Sequence, residues 1–472
     1  MGDRLEASAL VAGHGDEVRA RLQRCVAALQ RMVDGGWFAG HEDTVGMEVE
    51  FDLVDPLGRP RLINDAVLAR LGRADMQHEL GQFNIELNMD PRRLQGRVLH
   101  ELERDLADVF DTSRAGIERL GARLVAVGML PTLSAEQLTV ERISDNPRYA
   151  LLCRRMRAAR HRPFRVRILD GCEPVEFTTD SVAPEAAATS LQLHLRVPPE
   201  RFAAYYNAAQ MIAGAQVAVA ANSPYLLARQ VWQETRITLL EQLLDTRRRR
   251  EARAGAPARV RLGDRWVDGP VELFDDLVRL FPPLFPTLDA EDPDAALQAG
   301  CAPGLGELRL HNGTVWRWNR PVYDVQDGCP QLRIENRVLP SLADRPLSIW
   351  SPTPRSTTGW SARSPTATPP RGGGFPSRSP SGTCTARHVP GWPRSCAGSA
   401  ATTRSTGSPV RSCCRPPRPA STPGGWPPTT ATGTSVSSKR GFDAAAPALS
   451  GRPRRCATSR STGCNASRRC VR

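Results

Sequence analysis

Met47-Glu48-Val49-Glu50-Phe51-Asp52-Leu53 alternates strictly, apolar at the odd positions and acidic at the even ones. Side chains alternate between faces along a strand, so this stretch reads as a β-strand with one apolar and one anionic face. The same period recurs in Phe83-Asn84-Ile85-Glu86-Leu87-Asn88, in Leu191-Gln192-Leu193-His194-Leu195-Arg196-Val197 and in Leu332-Arg333-Ile334-Glu335-Asn336-Arg337-Val338. Arg165–Ile168 and Glu307–His311 are shorter examples. Helical periodicity runs through Asp16–Val33, Arg97–Leu120, Pro199–Val217, Val231–Leu244 and Val271–Phe281. One-sided strands separated by long amphipathic helices predict an α+β fold. We expect a largely antiparallel sheet with a concave polar face, and helices packed on its other face.

The polar faces carry the chemistry. They present Glu48, Glu50 and Asp52, then Asn84, Glu86 and Asn88, then Gln192, His194 and Arg196, then Arg333, Glu335 and Arg337. A single strand of this kind reads most simply as a solvated face. Four together do not, because neighbouring carboxylates on one face repel. A divalent cation removes that cost. Mg²⁺ takes oxygen ligands and shares them with phosphates, and the guanidinium fork suits the phosphate itself. The pattern predicts a Mg²⁺-nucleotide site, provided that Glu48, Glu50, Glu86 and Glu335 meet in one cavity. Glu79 and Asp52 are expected at its margin or in solvent.

Other function classes find less support. No glycine-rich loop follows a strand, which argues against a dinucleotide or P-loop site. The longest apolar-leaning run, Met211–Ala221, is too short to span a bilayer. No secretory leader is expected from the first residues, and the default address is cytoplasmic. Cys25, Cys153, Cys172, Cys301 and Cys329 are widely spaced and form no CxxC pair. Zinc is disfavoured, and free thiols are expected. The net charge of +13 is unevenly placed: residues 345–472 hold 20 Lys+Arg and one acid, so the body is mildly acidic. Nucleic acid is therefore not an expected partner, and Arg247–Arg250 reads as a solvated helix end.

From about residue 342 the composition turns to Ser, Thr, Pro, Arg and Gly without helical or strand period. One reading is a disordered basic tail. The other is translation out of the native frame of a GC-rich gene. Shifting the codons by one base allows Pro346–Pro370 to read VVDMVANAAFYYGLVRALADGDP, which restores helical spacing. We therefore divide the chain into a catalytic domain over 1–341, C-terminally incomplete, and a frameshifted, disordered tail over 342–472.

Together the motifs resemble the glutamate–cysteine ligase type 2 family. GMEVEF at 46–51 is similar to its G-x-E-x-E-F opening. QFNIELN (82–88), LQLHLRV (191–197), ANSPYL (221–226), WQETRI (232–237), HNGTVWRWNRPVYD (311–324) and LRIENRVLPS (332–341) follow in the family's order. The resemblance covers roughly residues 40–341. The shifted-frame segment VANAAFYYGL also resembles the family's C-terminal part. The resemblance implies a glutamine-synthetase-like catalytic fold and an ATP-dependent carboxylate–amine ligase. ATP phosphorylates the γ-carboxylate of glutamate, and an amine, that of cysteine in the best-known case, displaces phosphate.

The resemblance also implies roles. Glu48, Glu50, Glu86 and Glu335 are expected to bind Mg²⁺. Arg337 and Arg333 are expected at the transferring phosphate, with His194 assisting. Gln192, Arg236, Arg320 and Asn222 are expected to bind nucleotide or substrate carboxylates. For Trp316 and Trp318, core or lid packing is as good a reading as a role in the site. The partners implied are small molecules, with no nucleic acid and no membrane, and a homo-oligomer is left open. Two alternatives stay open: another acceptor amine, or an inactive chain that still binds nucleotide.

Overall fold

A computed structural model describes residues 10–12, 15–40, 42–169 and 171–341. The expectations for the tail, including the frameshift, lie outside the described residues. The main sheet has seven strands: β1 (Thr44–Val54), β2 (Met76–His78), β3 (Asn84–Arg93), β4 (Arg123–Val125), β5 (Ser190–Arg196), β6 (Asn319–Gln326) and β7 (Cys329–Pro340). Their order is β6-β7-β5-β1-β3-β2, with β4 paired to the C-terminal end of β1. Every pairing in this sheet is antiparallel.

The helices include α1 (Gly15–Asp34), α2 (Val98–Glu118), α3 (Pro147–Arg160), α4 (Pro199–Ala220), α5 (Thr235–Leu243), α6 (Val271–Leu280) and α7 (Gly306–Asn312). Two hydrophobic clusters cover the apolar face. In one, Val49, Phe51 and Leu53 of β1 pack with Leu102, Leu106 and Ile117 of α2, and the rings of Phe51 and Phe110 meet edge to face at 4.9 Å. In the other, Leu332 and Ile334 of β7 pack with α1 and α6 through Leu22, Leu29 and Phe274. Burial of one such side chain is worth about 1.5–3 kcal/mol. Truncating Leu102 to alanine therefore costs about 2–5 kcal/mol, including the cavity it leaves.

Helix starts follow local chemistry. Pro199 occupies the first turn of α4, where its missing N–H costs nothing. Asn146 caps α3 by accepting from the Arg148 amide, with Pro147 next. The period of α3 is hidden because arginines fill its outer face and only Tyr149, Cys153, Met156 and Arg160 are buried.

Two expectations need correction. Glu307–His311 is helical, within α7, rather than a strand. Glu307, Leu308, Leu310 and His311 are all buried, so the short segment shows no amphipathic period. Cys301 and Cys329 each take part in a disulfide, while Cys25, Cys153 and Cys172 are free thiols. Spacing along the chain carries no information on proximity in space. The strand at Arg165–Ile168 exists, but it pairs with Val175–Thr179 in a separate hairpin. No helix among the described residues is long and apolar enough to cross a membrane.

Candidate functional site

Register places the polar residues opposite one another. Glu50 faces Glu86 across β1 and β3, and Glu86 faces Gln77 of β2. Glu48 lies between Asn88 and Gln192. Glu335 lies between His194 and Arg320. Directly opposed residues share a face, so this face gathers acids, an arginine and their polar neighbours from six strands.

The acids divide into two trios, each with oxygen or nitrogen atoms within 4.8 Å of one another: Glu50, Glu79 and Glu86, and Glu48, His194 and Glu335. The four acids expected to share one cavity thus occupy adjoining places on one sheet face. Glu48 and Glu50 thus fall in different trios. Glu79, expected at the margin, belongs to the first trio.

In the first trio neutral donors hold the carboxylates. Ser190 N and Oγ donate to Glu50 at 2.7 and 3.0 Å, and Gln192 Nε2 donates at 2.9 Å. Gln77 Nε2 and Asn88 Nδ2 donate to Glu86 at 2.5 and 3.1 Å. Glu79 Oε1 accepts from the Leu80 amide at 3.0 Å. Its other oxygen is buried with no hydrogen-bond partner among the described residues. Burial, then the charge of Glu86, pushes the Glu50 carboxyl up to about 7. Burial, then Glu50 and Glu86, raises Glu79 well above the carboxylate range. Asp52 is raised too, by burial and Glu50, although Asn84 Nδ2 donates to it at 2.8 Å. A Cβ on Gly81 would stand 2.5 Å from Asn84 Oδ1, so a side chain there would disturb this pair.

The second trio is neutralised by cations. Arg320 Nε and Nη2 donate to the two oxygens of Glu335 at 2.6 and 2.9 Å. Arg337 Nη1 donates to Glu335 and, at 2.9 Å, to Gln192 Oε1. Burial opposes ionisation of Glu335, but Arg320 and Arg337 outweigh it and hold the carboxyl at about 2. His194 Nε2 lies 3.2 Å from Glu48 Oε1. Burial is likewise outweighed at Glu48, by His194 and then Arg337.

A cleft opens beside the first trio, lined by Glu50, Glu79, Glu185, Arg236, Trp316 and Arg337, among others. A second opens beside Glu48, His194 and Arg333. Arg337 and Arg333, which alternate along β7, therefore face different clefts. Arg333 also reaches Asp324 at 3.4 Å.

Arg236 lines the first cleft but is fully engaged. Its Nε pairs with buried Glu234 at 2.6 Å, and Nη1 and Nη2 donate to Thr189 O and Val338 O. Asn222 Nδ2 donates to Ser341 O at 3.0 Å, and its carbonyl accepts from Gly128 N. Both residues brace the ends of β5 and β7. Trp316 and Trp318 line the cleft as well.

The sequence reading passed over Glu185, the one charged residue in the short turn Ala183–Ala187. A lone carboxylate amid VAPEAAA was the available signal.

The α+β architecture agrees with the glutamine-synthetase-like expectation. Among curated proteins, "Putative glutamate--cysteine ligase 2-2" of Mycolicibacterium vanbaalenii is 38% identical to this chain over 113 residues. That match covers 22% of this chain and 28% of the relative's length. Residues 44–258, which carry both trios except Glu335, match the family described as glutamate-cysteine ligase family 2.

Proposed function

We propose that the chain is an ATP-dependent carboxylate–amine ligase that activates the γ-carboxylate of glutamate as an acyl phosphate and joins it to an amine, cysteine's being the first choice. The observation that carries this reading is the buried trio Glu50, Glu79 and Glu86 at the cleft that Arg337 also lines. The trio suits Mg²⁺: three oxygen donors converge, neutral donors hold Glu50, and one Glu79 oxygen is buried with no hydrogen-bond partner among the described residues. Bound Mg²⁺ would supply positive charge beside the transferring phosphoryl group.

The chain's own groups complete the assignment. Ser190, Gln192, Gln77 and Asn88 hold the carboxylates of Glu50 and Glu86 in place. Arg337 spends both of its hydrogen bonds through Nη1 and stands at the cleft wall, where its charge favours the phosphoryl oxygens. Arg320 fixes Glu335, and through it Arg337. His194, Glu48 and Arg333 line the neighbouring cleft, suited to the remaining phosphates or a second ion. Gln192 bridges the two groups through Glu50 and Arg337. Arg236 and Asn222 hold the walls. A cytoplasmic setting suits an enzyme that consumes ATP.

The test is phosphate release by the purified chain. The expected result is release that requires Mg²⁺, ATP, glutamate and an amine together, with a γ-glutamyl amide as product. Release without glutamate and amine would point to a hydrolase instead.

A further inference from the structure

We infer that Glu185 and Trp316 form the subsite that receives the ammonium group of the acceptor amine, an assignment that rests on the ligase reading above. Glu185 projects from a turn whose other residues, Ala183, Pro184, Ala186 and Ala187, are buried and apolar. Trp316 Nε1 donates to Glu185 Oε1 at 2.8 Å and fixes the carboxylate at the wall of the first cleft. Among the described residues no arginine or histidine forms an ion pair with it. Burial pushes this carboxyl up to about 7 despite the Trp316 hydrogen bond and the charge of Arg337.

A carboxylate withdrawn from water without a cation destabilises the fold, so its partner is best sought in a ligand. The cleft already has a place for anions, at Arg337, and a place for a metal ion, at Glu50 and Glu79. Glu185 lines the same cleft, whose wall also carries the apolar side chains of Leu240, Val260 and Trp318. That combination fits a primary ammonium carried on a small, largely apolar body.

The test uses the full 472-residue chain and two amines: ethylamine, cationic at neutral pH, and hydroxylamine, uncharged there. Glu185→Gln keeps the shape and a hydrogen-bond acceptor for Trp316 but removes the charge. The expected result is a KM for ethylamine raised about tenfold, the worth of one charge-assisted hydrogen bond. The KM values for hydroxylamine, glutamate and ATP should stay within about twofold. Trp316→Phe should shift the ethylamine KM in the same direction by less. Equal effects on both amines, or no effect on either, overturn the assignment.

If the unaltered chain releases no phosphate with either amine, the ligase reading fails, and calorimetric titration with ethylammonium chloride decides the subsite alone. Binding that is lost in Glu185→Gln upholds it. Absent binding, or binding equal in both proteins, overturns it.

Discussion

Glu335 on β7 and Glu50 on β1, with β5 between them, are both buried carboxylates on one sheet face, and their surroundings differ in sign. Two arginines hold Glu335, and its carboxyl titrates far below the ordinary range. Glu50 receives only amide and hydroxyl donors, shares its space with Glu79 and Glu86, and titrates near 7. The protein thus pairs Glu335 with its own arginines and holds Glu50 by neutral donors alone. Charge balance built into the chain marks a place where geometry is held. Imbalance marks a place where a cation from outside completes the structure.

The comparison breaks most sharply on stability. Glu335→Gln leaves Arg320 and Arg337 buried without their anion and should destabilise the fold by about 3–5 kcal/mol. Denaturant melts would read this as a lower midpoint, and an unchanged midpoint would show that the arginines find other partners.

Next in size is turnover. Glu50→Gln should cut glutamate-dependent ligation by about 10²-fold, through lost charge stabilisation at the phosphoryl group. Retained activity would remove Glu50 from the site.

The pH response separates the trios further. Folded Glu50 keeps its proton up to about 7, whereas an unfolded glutamate loses it near 4. Between those values the folded state binds more protons, so stability from this group falls as pH rises through the window. Folded Glu335 loses its proton at about 2. Its contribution is present above the unfolded value and is lost as pH falls toward 2. Glu50 should therefore contribute roughly 1–3 kcal/mol of added stability to metal-free protein on acidification from pH 7 to 5, on top of what the raised carboxyls of Glu79, Asp52 and Glu185 add, and Glu50→Gln should reduce the gain by that amount. A flat profile in that range would contradict the imbalance.

The smallest effect is the most diagnostic in sign. Glu79→Gln relieves repulsion in the first trio and should stabilise metal-free protein by about 1 kcal/mol. It should also weaken the rise in melting temperature that Mg²⁺ gives the unaltered chain. Destabilisation without metal would mean that Glu79 is already balanced.

Much of this was legible in the residues. Alternation at 47–53, 83–88, 191–197 and 332–338 located four strands of the sheet, and same-face carboxylates and arginines marked its chemical face. Helix periods located α1, α2, α4 and α6 to within a few residues, because each buries one stripe. Where burial is nearly complete, as in α7, or arginine masks the outer face, as in α3, the period disappears and the reading fails.

What tertiary structure alone decided is which charges meet. Whether Glu79 reaches Glu86, whether Arg320 grips Glu335, and which cleft Arg333 faces depend on strand order and register between segments up to 291 residues apart, as in the Ser341–Glu50 contact. Alternation is a local property of φ and ψ and survives in one strand read alone. Electrostatic neighbourhood is set by pairing across the sheet, where a one-residue slip would turn every one of these side chains to the opposite face.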